Sequence, residues 1–228
     1  MKIAIKVGGS VFCPGDKIDM DFVRHLSETL NALTEENRVL VVVGGGWLAR
    51  SMIKAAVKKG ETSEDKLHSI GIEASRINAR FLIDELGDNA FGEIPKNEEE
   101  AVKALRTGKI VVLGGFRPGQ TTDAVTLQCA EASGADLVVI GTDVKGVYTS
   151  DPKKDRKARF IPMISADELL AMVDTGNVEP GTKTIIDPVA ARIIKKTGIK
   201  TVITDIRNLE NIHDIVNGEE FDGTVVVG

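Results

Sequence analysis

Apolar runs of strand length alternate with helix-period segments along almost the whole chain, and glycine clusters close three of those runs. This rhythm constrains the fold more than any other feature. Lys2–Val7 reads as a strand, and Arg38–Val43 is a nearly continuous β-branched run, the pattern of a strand covered on both faces. Further strand-length runs fall at 89–94, 109–113, 136–140, 159–162, 200–203 and Thr224–Val227. Between them, residues 20–36 place Phe22, Leu26, Leu30 and Leu33 at helical spacing, and Glu64–Leu86 aligns Leu67, Ile70, Ala74, Ile77 and Phe81 on one stripe. Segments 46–59, 97–106, 121–133, Ala166–Val173, 188–196 and 209–216 also read as helices, whereas 141–159 is polar and rich in turn residues. Such alternation predicts an α/β fold: a mainly parallel central sheet covered by helices on both faces, a three-layer αβα sandwich. A chain of 228 residues suits one such domain. Its softest boundary lies at 114–119, dividing an N-terminal lobe (about 1–115) from a C-terminal lobe (about 116–228), with a cleft between them.

Charge excludes some functions. Twenty-nine basic against thirty-four acidic residues give a net charge of −5, with no basic footprint for nucleic acid. An anionic ligand must therefore meet local positive groups, such as helix N-termini and a few basic side chains. Cys13, expected in a loop, and Cys129, expected in a helix, are too few for a disulfide framework. His25, His68 and His213 lack metal-ligand spacing, so no protein-held metal site is expected. The apolar run at the start is too short for a signal peptide and no later segment approaches a membrane span, so a cytoplasmic protein with no membrane partner is expected.

The glycines carry the functional signal. Gly8-Gly9-Ser10 follows the first strand, and Gly44-Gly45-Gly46 follows the second and opens a helix. Gly114-Gly115 follows a later strand and leads through Pro118-Gly119-Gln120 to Thr121-Thr122-Asp123 at a helix start. Ligands of open α/β sheets bind outside the carboxyl ends of the strands, so the three turns can share one crevice. Glycine allows close approach of the backbone to a phosphate, and helix N-termini offer unpaired amides to anions. A glycine after a strand also serves simply as a tight turn. Gly44-Gly45-Gly46-Trp47-Leu48-Ala49 fits a relaxed dinucleotide fingerprint, but the acids downstream, Glu64 and Asp65, stand at a helix start rather than after a second strand. Residues 176–184 resemble a P-loop, but Thr182 separates Gly181 from Lys183 and no strong strand precedes them. A mononucleotide site of another type is left.

Taken in order, the motifs resemble those of the amino-acid kinase superfamily, and within it the uridylate kinase family of archaea. They are Lys6-Val7-Gly8-Gly9-Ser10, Val43-Gly44-Gly45-Gly46 with Arg50, Ile70-Gly71-Ile72 leading into Arg76-Ile77-Asn78-Ala79, the Gly114 to Asp123 turn, Gly146-Val147-Tyr148-Thr149-Ser150-Asp151-Pro152, and Asp187-Pro188-Val189-Ala190-Ala191. The resemblance implies transfer of the γ-phosphoryl of ATP, accompanied by Mg2+, to a nucleoside monophosphate, and a homo-oligomer, typically a hexamer. It further implies that Gly9, Ser10, Gly46 and Arg50 contact ATP phosphates and that Thr142, Tyr148 and Asp151 line the ATP side. The acceptor would be held by Gly45 and by Phe116, Arg117, Pro118, Gly119, Gln120, Thr121 and Thr122, with His68 at the ribose position.

Physical roles can be attached to several of these residues. Lys6, just before the first glycine turn, could neutralise charge developing on a transferring phosphoryl group; the alternative is a solvent-facing strand-end lysine. Asp143 and Asp187 could organise Lys6 or a metal ion, or could cap a turn and a helix, Asp-Pro being a good N-cap and first-position pair. Arg50 could equally be a solvated helix-face arginine, Tyr148 a packing residue, and Trp47 is expected to pack against the sheet. Three positions depart from the family pattern. His68 stands where an aspartate is usual, so either Asp65 takes over or the acceptor differs. Lys145 replaces another aspartate, and Phe116-Arg117 replaces threonine and histidine, adding a bidentate phosphate donor. UMP is the leading acceptor; the alternatives are another small phosphate or carboxylate, or a non-catalytic nucleotide-binding subunit.

Overall fold

The first strand lies inside the sheet. In the computed structural model, which describes residues 1–173 and 186–228, β1 (Lys2–Val7) pairs in parallel with β2 (Arg38–Val43) on one side and with β4 (Leu137–Thr142) on the other. Together with β3 (Val111–Leu113), β7 (Met163–Ser165), β8 (Lys200–Asp205) and β9 (Thr224–Val227) they form a seven-stranded sheet among the described residues, in the order β3-β2-β1-β4-β8-β9-β7. Only the β8–β9 pair is antiparallel. A separate antiparallel ribbon of β5 (Val147–Tyr148) and β6 (Phe160–Ile161) stands apart from this sheet.

Strand alternation sorts the side chains into two cores, because successive residues of a strand point to opposite faces. Ile3, Ile5 and Val7 of β1, with Val39, Val41 and Val43 of β2, pack beneath one helical layer. That layer comprises α1 (Gly9–Phe12), α2 (Met20–Leu33), the C-terminal half of α4 (Glu64–Leu86) and α9 (Glu210–Asn217). Ala4, Leu40 and Val42 point the other way, toward α5 (Glu98–Leu105), α6 (Thr122–Ser133), α7 (Ala166–Val173) and α8 (Pro188–Thr197). The three-layer sandwich expected from the sequence is the observed one. Helix α3 (Gly46–Lys58) packs on α4 and buries none of its residues completely.

Four local expectations need correction. The strand expected at 89–94 is a 3₁₀ turn, Gly87–Asn89, followed by a single bridge between Ala90 and Ile110. Beyond it the carbonyls of Gly92, Ile94 and Pro95 accept hydrogen bonds from Arg80 and Arg76 of α4, so they are drawn to the helix instead of to a strand. The loop expected after Gly8 begins with the short α1, whose C-cap is Cys13. The polar stretch 141–159 contains β5, and β7 follows Pro162 as an added strand whose partner is the chain's last strand, β9. Trp47 is 36% exposed and does not pack into the sheet. The whole of the P-loop-like segment 176–184 lies within 174–185, outside the described residues.

Candidate active site

Lys6 owes its position to strand parity. It is on the face of β1 that carries Ala4, the face covered by α6. Its ammonium meets the carboxylate of Asp123, in the first turn of α6, at 3.0 Å. The two side chains are only 14% and 13% exposed, so water screens the pair weakly. The contact is one of charge, since the geometry at Asp123 Oδ1 is not that of a hydrogen bond. Asp123 was quoted in the sequence motif without a role; the signal that could have found it is an acid in the first turn of a helix that covers the Lys6 face of the sheet.

A cleft of about 350 Å³ opens above the carboxyl ends of β1 and β4. Lys6, Gly8, Ser10, Thr142, Asp143, Tyr148 and Asp151 line it, so residues from the first glycine turn and from the 141–152 segment share one space. Leu169, Met172 and Val173 of α7 add an apolar wall that was not foreseen. Lys153 was also missed. It lines the cleft and pairs with Asp143 at 2.5 Å. Arg207 holds the same turn from outside, donating to the Asp143 carbonyl at 3.2 Å while paired with Asp205. Asp151 folds its own loop by accepting the Lys153 amide at 2.9 Å. Tyr148 stacks edge-on against Phe160, with ring centroids 5.6 Å apart. Lys145 points elsewhere: it pairs with Asp222 at 2.6 Å, lies over the Phe160 ring and does not line the cleft.

The first two glycine turns are in mutual contact. A Cβ on Gly9 would stand 2.2 Å from the Gly46 amide nitrogen, and one on Gly46 (φ +58°) only 2.0 Å from the Gly9 carbonyl oxygen. Glycine is thus required here by backbone packing, whatever else the turns hold. The second and third turns meet α4. A Cβ on Gly45 would come within 3.2 Å of the Gly71 carbonyl, and one on Gly114 within 2.8 Å of the Arg76 amide. The three turns therefore do converge, with α4 as the common support of two of them.

Most of the residues assigned to the acceptor lie on the α5–α6 side. Thr121 N-caps α6 by accepting the Ala124 amide at 3.1 Å, and Thr122 opens that helix. Thr121 Oγ1 also donates to the carboxylate of Asp187, which caps α8 through the amides of Val189 and Ala190 at 2.7 and 3.1 Å. Asp187 thus ties the start of α6 to the start of α8, and the residue beside Lys6 is Asp123. Phe116 packs against the core on the α5–α6 side, and Arg117 is paired with Glu98 at 2.7 Å. Pro118 and Gly119 (φ +80°) form the exposed tip of the turn, closed by the Gln120 amide on the Arg117 carbonyl. Gln120 reaches Gln128 of α6 at 3.1 Å. His68 is exposed in the second turn of α4, and Arg50 is exposed on α3 away from the cleft.

The chemistry follows from this set. Two ammonium groups, two carboxylates and the hydroxyls of Ser10, Thr142, Tyr148, Thr149 and Ser150 around one cleft suit a polyanion accompanied by a cation. Among the described residues no group of three His, Cys, Asp or Glu side chains forms a metal cage. A divalent ion would fit this set only as a companion of substrate phosphates, the usual manner for Mg2+.

A crevice at the carboxyl ends of parallel strands, with a partly buried lysine–aspartate pair and converging glycine turns, defines a phosphate-handling α/β enzyme. The model of the amino acid kinase family matches residues 1–205, and the chain belongs to that family. Over 228 residues it is 42% identical to a uridylate kinase of Pyrococcus abyssi, covering 99% of each chain. A uridylate kinase of Methanothrix thermoacetophila is 41% identical over 226 residues, again with 99% of each covered. The crystal structure of uridylate kinase from Archaeoglobus fulgidus superposes with a TM-score of 0.88 at 37% identity, over the full length of both chains.

Proposed function

We propose that this protein transfers the γ-phosphoryl group of ATP to UMP, giving UDP and ADP. Full-length similarity to uridylate kinases supports this reading, and the observation that carries it is the Lys6–Asp123 pair, whose lysine lines the cleft. Phosphoryl transfer asks a protein chiefly for positioning and for stabilisation of charge on in-line oxygens. Lys6 supplies a fixed positive charge where negative charge grows, and Asp123 holds the ammonium in place. Ser10, Thr142, Tyr148, Asp151 and Lys153 hold the donor nucleotide in the cleft, and the Gly9–Gly46 contact fixes the glycine turn next to it. Mg2+ carried on the ATP phosphates would supply charge neutralisation in this cleft, beside Asp143 and Asp151. Gly45 and the 116–122 turn face the acceptor.

Asp143 and Asp187 act as organisers, one through Lys153 and the other through Thr121 and α8. The protein works in the cytoplasm; among the described residues no helix is long and apolar enough to cross a membrane. Its functional form is a homo-oligomer, a hexamer by resemblance. Exposed apolar side chains on α3 (Met52, Val57) and α4 (Ile77, Phe81) are candidates for burial between copies.

The test is ADP release from ATP and Mg2+ with UMP, CMP, AMP or no acceptor. UMP-dependent turnover that falls by roughly 10²–10³-fold in Lys6→Ala is expected, the loss typical of removing one charge-stabilising donor. ATP binding without turnover on UMP would overturn the assignment. Turnover on a different acid or phosphate would then point to the exposed His68 as the mark of another acceptor.

A further inference from the structure

Helix α4 carries two buried polar residues one turn apart, and each holds the backbone of a different glycine turn. Asn78, with no exposed surface, donates from Nδ2 to the Gly44 carbonyl at 2.8 Å. Ser75, 2% exposed, accepts the Gly115 amide on Oγ at 2.8 Å and donates the same hydroxyl to the Ile72 carbonyl at 2.6 Å. The sheet end and the helix are pressed together here, since a Cβ at Gly114 would lie 2.8 Å from Ser75 Oγ.

Asn78 makes poor sense as a packing residue alone. Its Oδ1 has no hydrogen-bond partner among the described residues, and burying an unpaired carbonyl oxygen is unfavourable. Its neighbours on the buried face, Ala74, Ala79 and Leu82, show that apolar side chains are at home there. What the amide contributes is one hydrogen bond, and that bond sets the direction of a peptide group.

In a trans peptide the C=O and the following N–H point in opposite directions. With the Gly44 carbonyl held by Asn78, the Gly45 N–H is turned away from that side chain. With the Gly115 N–H held by Ser75, the Gly114 carbonyl is turned away from the serine. The two strand-end peptides are therefore fixed with opposite polarity, one presenting a donor and the other an acceptor. We propose that Ser75 and Asn78 are positioning residues for the phosphoryl acceptor: Asn78 aims the Gly45 amide at its phosphate, and Ser75 aims the Gly114 carbonyl at a hydrogen-bond donor of the nucleoside. This rests on the reading that these turns serve the acceptor and the β1–β4 cleft serves ATP. It also revises the sense of the third glycine turn, whose Gly115 amide is already committed to Ser75 and so does not bind an anion.

The test compares Asn78→Leu, Ser75→Ala and Ser75→Thr with wild type by steady-state kinetics and by equilibrium titration of UMP and of ATP. Asn78→Leu is expected to lower kcat/KM for UMP at least tenfold and to weaken UMP binding, while KM for ATP stays within about threefold. Ser75→Ala should show the same split, and Ser75→Thr, which keeps the hydroxyl, should recover most of it. Equal losses for ATP and UMP, or unchanged UMP parameters in folded variants, would overturn the proposal. Should Asn78→Leu fail to fold, the Ser75 pair decides alone. If the wild type does not phosphorylate UMP, the assigned function fails separately. The same split is then measured with whichever acceptor the wild type uses, and its absence there sinks the positioning role too.

Discussion

Lys6 and Asp123 form a partly buried ion pair, and losing one partner of such a pair strands the other charge. Asp123→Asn keeps the shape and removes the charge that restrains the ammonium. Because small displacements of a reacting group are costly, kcat should fall by roughly 10²-fold with a much smaller change in KM for ATP. Cys129 gives a prediction of a different kind. Burial pushes its thiol up to about 12 from the ordinary 9.0, with the nearby Glu98 charge adding to the effect. The folded state therefore keeps the proton that the unfolded chain releases above pH 9, so Cys129 lowers stability as pH rises from 9 toward 12. Chemical denaturation of Cys129→Ala should show a flatter decline across that interval than wild type. Parity along β1 puts Lys6 on the Ala4 face, but the sequence left open whether its ammonium turns to solvent or to a partner. The partner was not legible, because nothing local to Asp123 says which strand its helix will cover. Lys153 was hidden for the same reason: its place in the cleft depends on how the 141–159 segment folds back over β4.

Caps and glycine contacts govern the elements. Asp187 caps α8 and receives Thr121 from the start of α6, so Asp187→Ala removes a cap and a tie between two helices. The cap alone is worth about 1 kcal/mol, or ~2–4 °C in Tm for a chain of this size. A larger drop, measured by calorimetry, is expected because the partly buried Thr121 link is lost as well. Gly46→Ala should be worse. Its positive φ and the Gly9 oxygen leave no room for a Cβ, so the variant should fold poorly or lose most of its activity. Element order and most boundaries could be read from hydrophobic period and caps. The 89–94 strand misled because Phe91 and Ile94 are apolar, as in a strand, while arginines on α4 capture the backbone carbonyls there. Helix α1 escaped notice because four residues carry too little period to detect.

At the scale of the whole molecule, the sheet runs without a break from β3 to β7, and β1 joins the strands of the first half to those of the second. The two lobes should not separate: a fragment ending near residue 115 leaves one edge of β1 unpaired and should be unfolded or aggregated by circular dichroism and sedimentation. Exposed Met52, Ile77 and Phe81 lead to a matching expectation for assembly. Replacing all three with glutamate should shift the protein toward monomer in light scattering, without loss of helical signal. The alternation of strands and helices made the sandwich legible, but the placement of β9 between β8 and β7 was not, since no sequence period encodes which edge a late strand joins.

The central place of β1 also has a consequence in time. This strand leaves the ribosome long before its partner β4, which begins at Leu137. At synthesis rates of about 5–20 residues per second, one side of that strand stays open for roughly ten seconds before its neighbour exists. Nascent chains should therefore depend on early protection from chaperones, and slowing translation between Val43 and Leu137 should lower soluble yield even though the finished protein is unchanged.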